Sequence, residues 1–192
     1  MDTKFYSFFK PIVGFLVKFL YRPKAIGLEN IPKDGPVVLA GNHTKWLDPP
    51  SLVTFCKRQV HFLTKIELFS GKTGWFVKGM GCIPVNRKIH DKNALSSAEE
   101  FLNNNLCVGI FPEGTINRTN DIIMPFKIGA VKSSHDTNSL LVPFVITGKY
   151  RIIGKSVRIE FLKPIHIGTD LNKENDKLME IIKEKLSVFS II

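Results

Sequence analysis

The sequence predicts an α/β fold, in which helices flank a mostly parallel sheet and an amphipathic helical segment comes first. Short apolar runs alternate with stretches of helical periodicity, which is typical of βαβ units and a parallel sheet. The chain has 192 residues, of which 44% are hydrophobic, so it can bury one core of ordinary size. We therefore divide it into an N-terminal amphipathic helical segment, residues 1–28, and one α/β domain, residues 29–192.

The N-terminal segment has the pattern of a helix that lies at a membrane interface. Its polar and small residues form one narrow stripe on a helix, while aromatic and aliphatic residues cover most of the rest. Lysine side chains can reach lipid headgroups while an apolar face enters the acyl boundary. We expect membrane contact here; the alternative is an amphipathic helix that packs on its own domain. The residues that favour membrane contact are Phe5, Phe8, Phe9, Phe15 and Phe19.

Two features of the same segment limit what it can do. Lysines at positions 4, 10 and 18 interrupt the apolar runs, and no small-residue cleavage site follows them. Because a spanning helix needs about 20 predominantly apolar residues, we expect neither a membrane span nor a secretory signal peptide. Pro11 has no backbone N–H, so we expect it to kink the helix or to start a second helical piece.

The rest of the chain alternates between strands and helices. Residues 21–36 form a turn-rich connector. After it, short apolar runs predict strands at 37–41, 60–64, 82–86, 107–111, 140–147 and 157–162. Helical periodicity predicts helices near 50–57, 71–79, 90–104, 128–134 and 173–189.

Charge and cysteine content limit the classes of partner and of site. The formal charge of +10 and the isoelectric point near 9.6 indicate an anionic partner, which is nucleic acid, phospholipid or a phosphorylated substrate. No C-x-x-C pair occurs among Cys56, Cys82 and Cys107, so we expect neither a disulfide framework nor a zinc site. We expect these cysteines to pack in the core of a protein in a reducing, cytosolic setting.

Three polar segments follow predicted strands. They are NHTKWLD at 42–48, Asn86-Arg87, and Pro112-Glu113-Gly114. In an open α/β sheet, ligands bind outside the carboxyl ends of the strands. The three segments are therefore expected to meet in one crevice.

The first of these segments pairs a histidine with a carboxylate. His43 and Asp48 would point roughly 140° apart on one helix, so they can meet only if the chain turns between them. An imidazole held by a carboxylate through one nitrogen can take a proton from a hydroxyl with the other. The alternatives are a structural histidine and an Asp48 that caps a helix starting at Pro49.

The other two segments are suited to an anionic ligand. The fixed fork of donors on Arg87 fits a phosphate, although a solvated arginine at a strand end is the simpler interpretation. Gly114 allows a tight turn in which backbone N–H groups can approach a ligand.

Taken in order, these blocks resemble those of a known family. NHTKWLD, GCIPVNR, FPEGT, MPFKIGAVKSS and VPFVITG are similar to the ordered blocks of the glycerophospholipid acyltransferases, above all the bacterial 1-acyl-sn-glycerol-3-phosphate acyltransferases. The likeness covers roughly residues 25–165. The family often continues the FPEGT block as T-R-S, whereas this chain has Thr115-Ile116-Asn117, so one customary positive charge is absent and Arg118 is the candidate substitute.

The resemblance implies roles for particular residues. His43 would be the general base and Asp48 its orienting partner. Pro143 would shape an acyl pocket. The acceptor and its phosphate would be held by Arg87, Glu113, Gly114, Thr115 and Lys127.

The resemblance also implies a reaction and a location. An acyl group would pass from acyl-CoA or acyl-ACP to the 2-hydroxyl of 1-acyl-sn-glycerol-3-phosphate, giving phosphatidic acid, with no cofactor and no metal. The protein would be monotopic or peripheral at the cytoplasmic face of the cell membrane, in contact with an anionic lipid surface. One alternative is another acceptor, such as glycerol 3-phosphate or a different lysophospholipid. The other is a noncatalytic basic module that binds membrane or nucleic acid, although no nucleic-acid-binding signature is present.

Overall fold

The structure is a computed structural model that describes residues 3–86, 92–153 and 157–190. Within these residues, seven strands form one sheet in the order β1-β7-β6-β2-β5-β3-β4. Every neighbouring pair is parallel except β6 and β7, which are antiparallel. The strands are β1 Lys24–Ile26, β2 Val37–Gly41, β3 Val60–Lys65, β4 Ile83–Val85, β5 Cys107–Ile110, β6 Leu140–Thr147 and β7 Arg158–Phe161.

Helices cover both faces of this sheet. They are α1 Thr3–Tyr21, α2 Asp48–Phe55, α3 Glu67–Ser70, α4 Gly74–Gly79, α5 Lys92–Asn103, α6 Gly129–Asp136 and α7 Leu171–Ser190. Successive residues of β2 point to opposite faces, so Val37 and Leu39 join a core with α1 and α2. Val38 and Ala40 join a second core with α5, α6 and α7. Because both faces are covered, β2 is an unbroken apolar run and every residue in it is buried.

Helix α1 packs on the α/β domain through one side only. Its Gly14 lies against α2, where an added Cβ would be 3.7 Å from Thr54 Cγ2. Lys10 Nζ donates to the carbonyl of Cys56 just after α2, at 2.5 Å. The opposite side is open, and Phe8, Phe15 and Phe19 are each more than 60% exposed. One face of α1 therefore packs on the α/β domain, as the alternative interpretation expected. The other face is aromatic and stays uncovered, as membrane contact would require.

The predicted fold class is confirmed, and the elements differ from prediction in a few places. The connector contains a strand we did not predict, β1, which pairs with β7 at the sheet edge, so residues 24–26 of the proposed N-terminal segment belong to the sheet. The short helix α3 was also not predicted. α1 is one continuous helix through Pro11, so the expected start of a second helical piece was wrong. Among the described residues, no helix is long and apolar enough to cross a membrane.

The cysteines lie where the sequence placed them. Cys56 and Cys107 are buried and Cys82 is partly buried, and all three are free thiols. Burial raises the pKa of each thiol above its ordinary value. A buried thiol that stays protonated behaves as a small apolar side chain, as expected for core packing.

Candidate active site

The loops that follow β2 and β5 meet at the carboxyl end of the sheet. These strands are neighbours, and Ala40 of β2 is paired with Ile110 of β5, so both chains leave the sheet at the same level. A cavity of about 770 Å³ opens there, between these loops, the end of β3 and the start of α6. His43 lies in its wall.

The structure brings the side chains of His43 and Asp48 together. The chain turns between them, and His43 Nδ1 lies 2.8 Å from Asp48 Oδ2. Asp48 is fully buried, and the same carboxylate oxygen accepts the backbone N–H groups of Thr44 at 2.6 Å and Lys45 at 2.8 Å. These donors precede α2, whereas a capping side chain would bond to the second or third N–H inside the helix. Asp48 therefore stabilises the loop that carries His43 and does not cap α2.

The surroundings of His43 determine which ring nitrogen can react. A carboxylate only accepts hydrogen bonds, so the Nδ1 that faces Asp48 carries the proton in the neutral ring. The imidazole stacks on Phe111, with ring centroids 4.0 Å apart and planes 19° apart. The side chain is 12% exposed. Nε2 is thus the nitrogen available to a ligand in the cavity, as an acceptor of a proton.

Glu113 acts on the backbone of His43. Its Oε1 accepts the N–H of His43 at 2.7 Å, and its Oε2 accepts the N–H of Met124 at 2.9 Å. The residue is only 4% exposed, and this burial raises the pKa of its carboxyl group despite the two backbone donors. The carbonyl of His43 accepts the N–H of Asn117 at 2.8 Å. Both oxygens of Glu113 thus face backbone amides and it does not line the cavity, and its expected role in holding substrate stays a prediction.

The turn at Gly114 makes room for a lysine. Gly114 has a φ of 71°, a conformation that favours glycine, and its N–H donates to the carbonyl of Phe111. A Cβ at this position would lie 3.0 Å from Lys127 Nζ, so the lysine side chain passes close over the turn. Gly114 therefore contributes space for a cation, whereas its own N–H is used within the turn.

Charged, polar and apolar side chains all line the cavity. Lys65, Arg118 and Lys127 are its cationic residues, Glu67 is acidic, and Thr115 is polar. Arg87, expected at the same place, lies outside the described residues. The apolar lining includes Phe62, Leu63, Leu68, Ile110, Ile128 and Ala130.

Pro143 lies elsewhere. It is a buried residue of β6 beside Ala40, and it lines a separate pocket with Glu160, Ile181 and Lys185. It is not part of the wall around His43. Its position on β6 places it on the side of the sheet covered by α7, so an acyl pocket shaped by Pro143 stays a prediction.

Several residues of the site were not identified from the sequence. Tyr150 donates its hydroxyl to Asp48 Oδ1 at 2.9 Å, from 102 positions away. Asn42 is buried and forms two hydrogen bonds with the backbone of Ile146, which fix the start of the loop to β6. The signal for Tyr150 was its place just after the fifth predicted strand, 140–147, where ligand-binding residues occur. For Asn42 it was an amide at the end of a buried strand, where a polar group needs a partner.

Metal ligands are not gathered at this site. Among the described residues, no three His, Cys, Asp or Glu side chains are close enough together to hold a metal ion.

Comparison with known proteins gives a family and related sequences. The family described as Acyltransferase matches residues 22–147, more than half of the chain. The 1-acyl-sn-glycerol-3-phosphate acyltransferase of Bacillus subtilis (strain 168) is 35% identical over 127 residues, which are 65% of this chain and 62% of that protein. The chloroplastic 1-acyl-sn-glycerol-3-phosphate acyltransferase LPAT1 of Arabidopsis thaliana is 31% identical, over 76% of this chain and 44% of that protein. This chain thus spans less than two thirds of the length of each of these relatives.

A solved structure shares the fold. The crystal structure of the 1-acyl-sn-glycerophosphate (LPA) acyltransferase PlsC from Thermotoga maritima matches with a TM-score of 0.76 and 21% sequence identity. The match covers 97% of this chain and 78% of that one. It therefore includes α1 as well as the α/β domain.

Proposed function

This chain belongs to the acyltransferase family, and we propose that it transfers an acyl group from acyl-CoA or acyl-ACP to 1-acyl-sn-glycerol-3-phosphate. The product is phosphatidic acid, formed by acylation of the 2-hydroxyl. The observation that carries the proposal is the His43–Asp48 pair, 2.8 Å apart, in the wall of a cavity that is lined by both cationic and apolar residues. Relatives named for this reaction support the choice of acceptor.

In the proposed reaction, His43 acts as a general base. Nε2 takes the proton of the 2-hydroxyl while that oxygen attacks the thioester carbonyl. The new C–O ester bond forms and the C–S bond breaks, and the imidazolium returns the proton to the departing thiolate. Asp48 holds the ring through Nδ1 and stabilises the imidazolium. No covalent intermediate on the protein is needed.

The two kinds of side chain in the cavity wall suit the two ends of the acceptor. The cationic residues, Lys65, Arg118 and Lys127, would bind the phosphate. Arg87 remains a proposed member of this group. The apolar residues, which include Phe62, would accommodate an acyl chain.

Membrane attachment would bring the site to its substrate. The exposed face of α1 provides Phe8, Phe15 and Phe19, and Lys18 is exposed on the same helix. We propose that this face lies in the cytoplasmic leaflet of the cell membrane as a peripheral or monotopic anchor. Trp46 lines the cavity and is 69% exposed, so an apolar rim is present where a lysolipid would enter from the leaflet.

The direct test combines a substrate panel with a matched pair of histidine variants. Purified protein is incubated with lysophosphatidate, other lysophospholipids or glycerol 3-phosphate, each with acyl-CoA and acyl-ACP, and thiol release is measured. We expect the highest turnover with lysophosphatidate. His43→Ala should lower turnover by roughly 10²- to 10⁴-fold, the usual contribution of a general base. His166→Ala, at an exposed position that does not line the cavity, should leave it unchanged.

Two results would contradict the proposal in different ways. Turnover of His43→Ala within a few-fold of wild type would remove the general base from the mechanism. Faster acylation of glycerol 3-phosphate or of another lysophospholipid would retain the mechanism and reassign the acceptor.

A further inference from the structure

Tyr150 contacts Asp48 of the catalytic pair but does not line the cavity. Its hydroxyl oxygen is 2.9 Å from Asp48 Oδ1 and 3.2 Å from Ser51 Oγ. The residue follows β6, whereas Asp48 and Ser51 belong to the first turn of α2. The contact thus joins the catalytic pair to a part of the chain that lies outside the sequence blocks around His43, Glu113 and Lys127.

The donors around Asp48 divide unequally between its two oxygens. Oδ2 accepts hydrogen bonds from three nitrogen atoms, one in the His43 ring and two in the backbone of Thr44 and Lys45. Oδ1 accepts hydroxyl groups, from Thr44 at 3.1 Å and from Tyr150 at 2.9 Å. Because Asp48 is fully buried, water cannot replace a lost donor, and each contact matters more than it would at the surface.

The phenol of Tyr150 is held in the form that donates. Burial and the neighbouring carboxylate of Asp48 raise the pKa of Tyr150 well above its usual range. A phenol has a single proton, and the charged acceptor competes for it better than the neutral Ser51 hydroxyl does. Tyr150 therefore directs its proton to Asp48, while Ser51 can donate to the phenol oxygen.

We propose that Tyr150 is a positioning residue, whose hydroxyl orients the Asp48 carboxylate and weakens its hold on the proton of the His43 imidazole. The catalytic consequence rests on the proposed acyl transfer. The effect on the ring of His43 does not, because it follows from the contacts alone. A carboxylate whose charge is shared among more donors attracts an imidazolium less strongly.

The other charged groups near the ring would remain in place if this hydroxyl were removed. Glu113 faces the backbone of His43 from the loop after β5. Lys65 at the end of β3, Glu67 at the start of α3, and Arg118 and Lys127, between β5 and α6, line the cavity in whose wall the ring lies. A change seen on removal of the Tyr150 hydroxyl alone can therefore be assigned to its contact with Asp48.

Helix α1 holds Tyr150 in position. The ring of Tyr21, the last residue of α1, meets the ring of Tyr150 edge-on with centroids 5.7 Å apart. The N–H of Ile153 donates to the carbonyl of Leu20 at 2.6 Å. Tyr21 offers a matched control, since Tyr21→Phe removes a hydroxyl from a neighbouring tyrosine without touching Asp48.

The primary test is an NMR titration of the His43 ring proton in the wild type and in the Tyr150→Phe and Tyr21→Phe variants. The signal is assigned by its absence in His43→Asn. We expect the titration midpoint to rise by about half a pH unit in Tyr150→Phe, a fraction of the contribution of one hydrogen bond to a charged group, because the effect reaches the ring only through Asp48. Tyr21→Phe should leave the midpoint in place. An unchanged midpoint in Tyr150→Phe, or an equal rise in Tyr21→Phe, would overturn the inference.

A kinetic measurement extends the test to the reaction. In Tyr150→Phe, the acidic limb of the pH profile of kcat/KM should move to higher pH by the same amount. The plateau kcat should fall about three- to tenfold while both KM values stay within about twofold, because the hydroxyl positions the base and does not touch substrate. If the wild type consumes no thioester, the proposed acyl transfer fails, and the ring titration still decides the role of Tyr150.

A second variant covers the case in which Tyr150→Phe does not fold. Ser51→Ala keeps the phenol and removes the donor to its oxygen, so the phenol becomes a weaker donor to Asp48. The midpoint should rise by a smaller amount in the same direction. A fall in the midpoint would contradict the proposed direction of these hydrogen bonds.

Discussion

The two carboxylates nearest to His43 are both buried, yet they have different environments. Asp48 receives contacts from three nitrogens and two hydroxyl groups, whereas Glu113 receives two backbone N–H groups. The desolvation of Glu113 outweighs these two donors, so the pKa of its carboxyl is raised. Asp48 therefore orients the ring of His43, and Glu113 fixes the backbone of His43. The protonation state of Glu113 then affects the stability of the fold.

The pKa shift of Glu113 predicts a pH dependence of stability. An acid with a raised pKa in the folded state binds its proton more tightly there than in the unfolded chain. Its contribution to the free energy of unfolding is fully present below pH 4.5, the ordinary pKa of the group. That contribution is lost as the pH rises through the pKa of the folded state. Glu113→Gln has no such titration, so the free energy of unfolding of the wild type minus that of the variant should decrease as the pH rises from acid to neutral.

Urea unfolding of both proteins across this pH range measures the difference. Glu184→Gln, at an exposed position of α7, is the control and should show a constant difference. A difference between wild type and Glu113→Gln that grows with pH would contradict the assignment of a raised pKa to Glu113.

Arg118 is placed to supply the charge that the segment Thr115-Ile116-Asn117 lacks. Asn117 is a loop-forming residue here: its Oδ1 accepts the N–H of Thr119 at 2.9 Å, and its side-chain amide donates to the carbonyl of Asp121 at 3.0 Å. Together with the bond from its N–H to His43, these contacts shape the loop that places Arg118 in the cavity wall.

Replacement of Arg118 tests whether it binds the acceptor. Arg118→Ala should raise KM for lysophosphatidate by roughly tenfold or more, since a hydrogen bond between charged groups contributes about 1.5 to 3 kcal/mol. Turnover at saturation should change little, because Arg118 does not contact His43 in the described hydrogen bonds. Lys183→Ala, which removes an exposed cation on α7, is the control. An unchanged KM would mean that another cation binds the phosphate.

At the level of the elements, periodicity was a good guide wherever an element is buried in the sheet. Strands β2 and β6 have the predicted bounds because each is an unbroken apolar run covered on both faces. Strand β1 was missed because three edge residues with alternating exposure carry no such run. Helix α3 was missed because four residues are too few to show a helical period.

The meeting of His43 with Asp48 was foreseeable, while their full set of partners was not. The two residues are close in sequence, and a strand-to-helix loop must turn. The contact with Tyr150 depends on the place of β6 next to β2, which a single sequence does not specify. The partners of Glu113 could not be predicted either. They are backbone amides, which every residue except proline has, so the sequence carries no sign of them.

Helix α1 presents two aromatic faces with different expected roles. Phe5 and Phe9 pack against Phe76 of α4, whereas Phe8, Phe15 and Phe19 are exposed. Replacing the three exposed rings with serine should weaken binding to anionic vesicles at least roughly a hundredfold, given about 2 kcal/mol for each fully buried ring. The melting temperature should change little.

The inward rings provide the matched comparison. Phe5→Ser with Phe9→Ser should lower the melting temperature, since their removal leaves a cavity between α1 and α4. Vesicle sedimentation and thermal unfolding of both sets separate the two roles. Unchanged vesicle binding after loss of the three exposed rings would contradict the proposed anchor.

On the scale of the whole molecule, the fold connects the exposed face of α1 to the His43–Asp48 pair. The inner face of α1 packs on α2, and α2 begins with Asp48. Tyr21, the last residue of α1, contacts Tyr150. The loops after β2 and β5 bring His43 and Glu113 to the carboxyl end of the sheet. A helix that lies on the leaflet would thus fix the position of the catalytic residues relative to a lysolipid in the same leaflet.

The net charge of +10 allows this arrangement to be distinguished from a purely electrostatic one. Salt at about 0.5 M shortens the Debye length to a few ångströms and screens exposed charges, but it does not weaken apolar insertion. Raising salt from about 0.05 to about 0.5 M should therefore weaken vesicle binding of the wild type about tenfold, while binding at high salt stays measurable. The variant without Phe8, Phe15 and Phe19 should show no binding at high salt. Binding of the wild type to neutral vesicles should depend little on salt. A basic module that binds anions through charge alone would instead release every anionic surface at high salt, and that outcome would contradict insertion of α1.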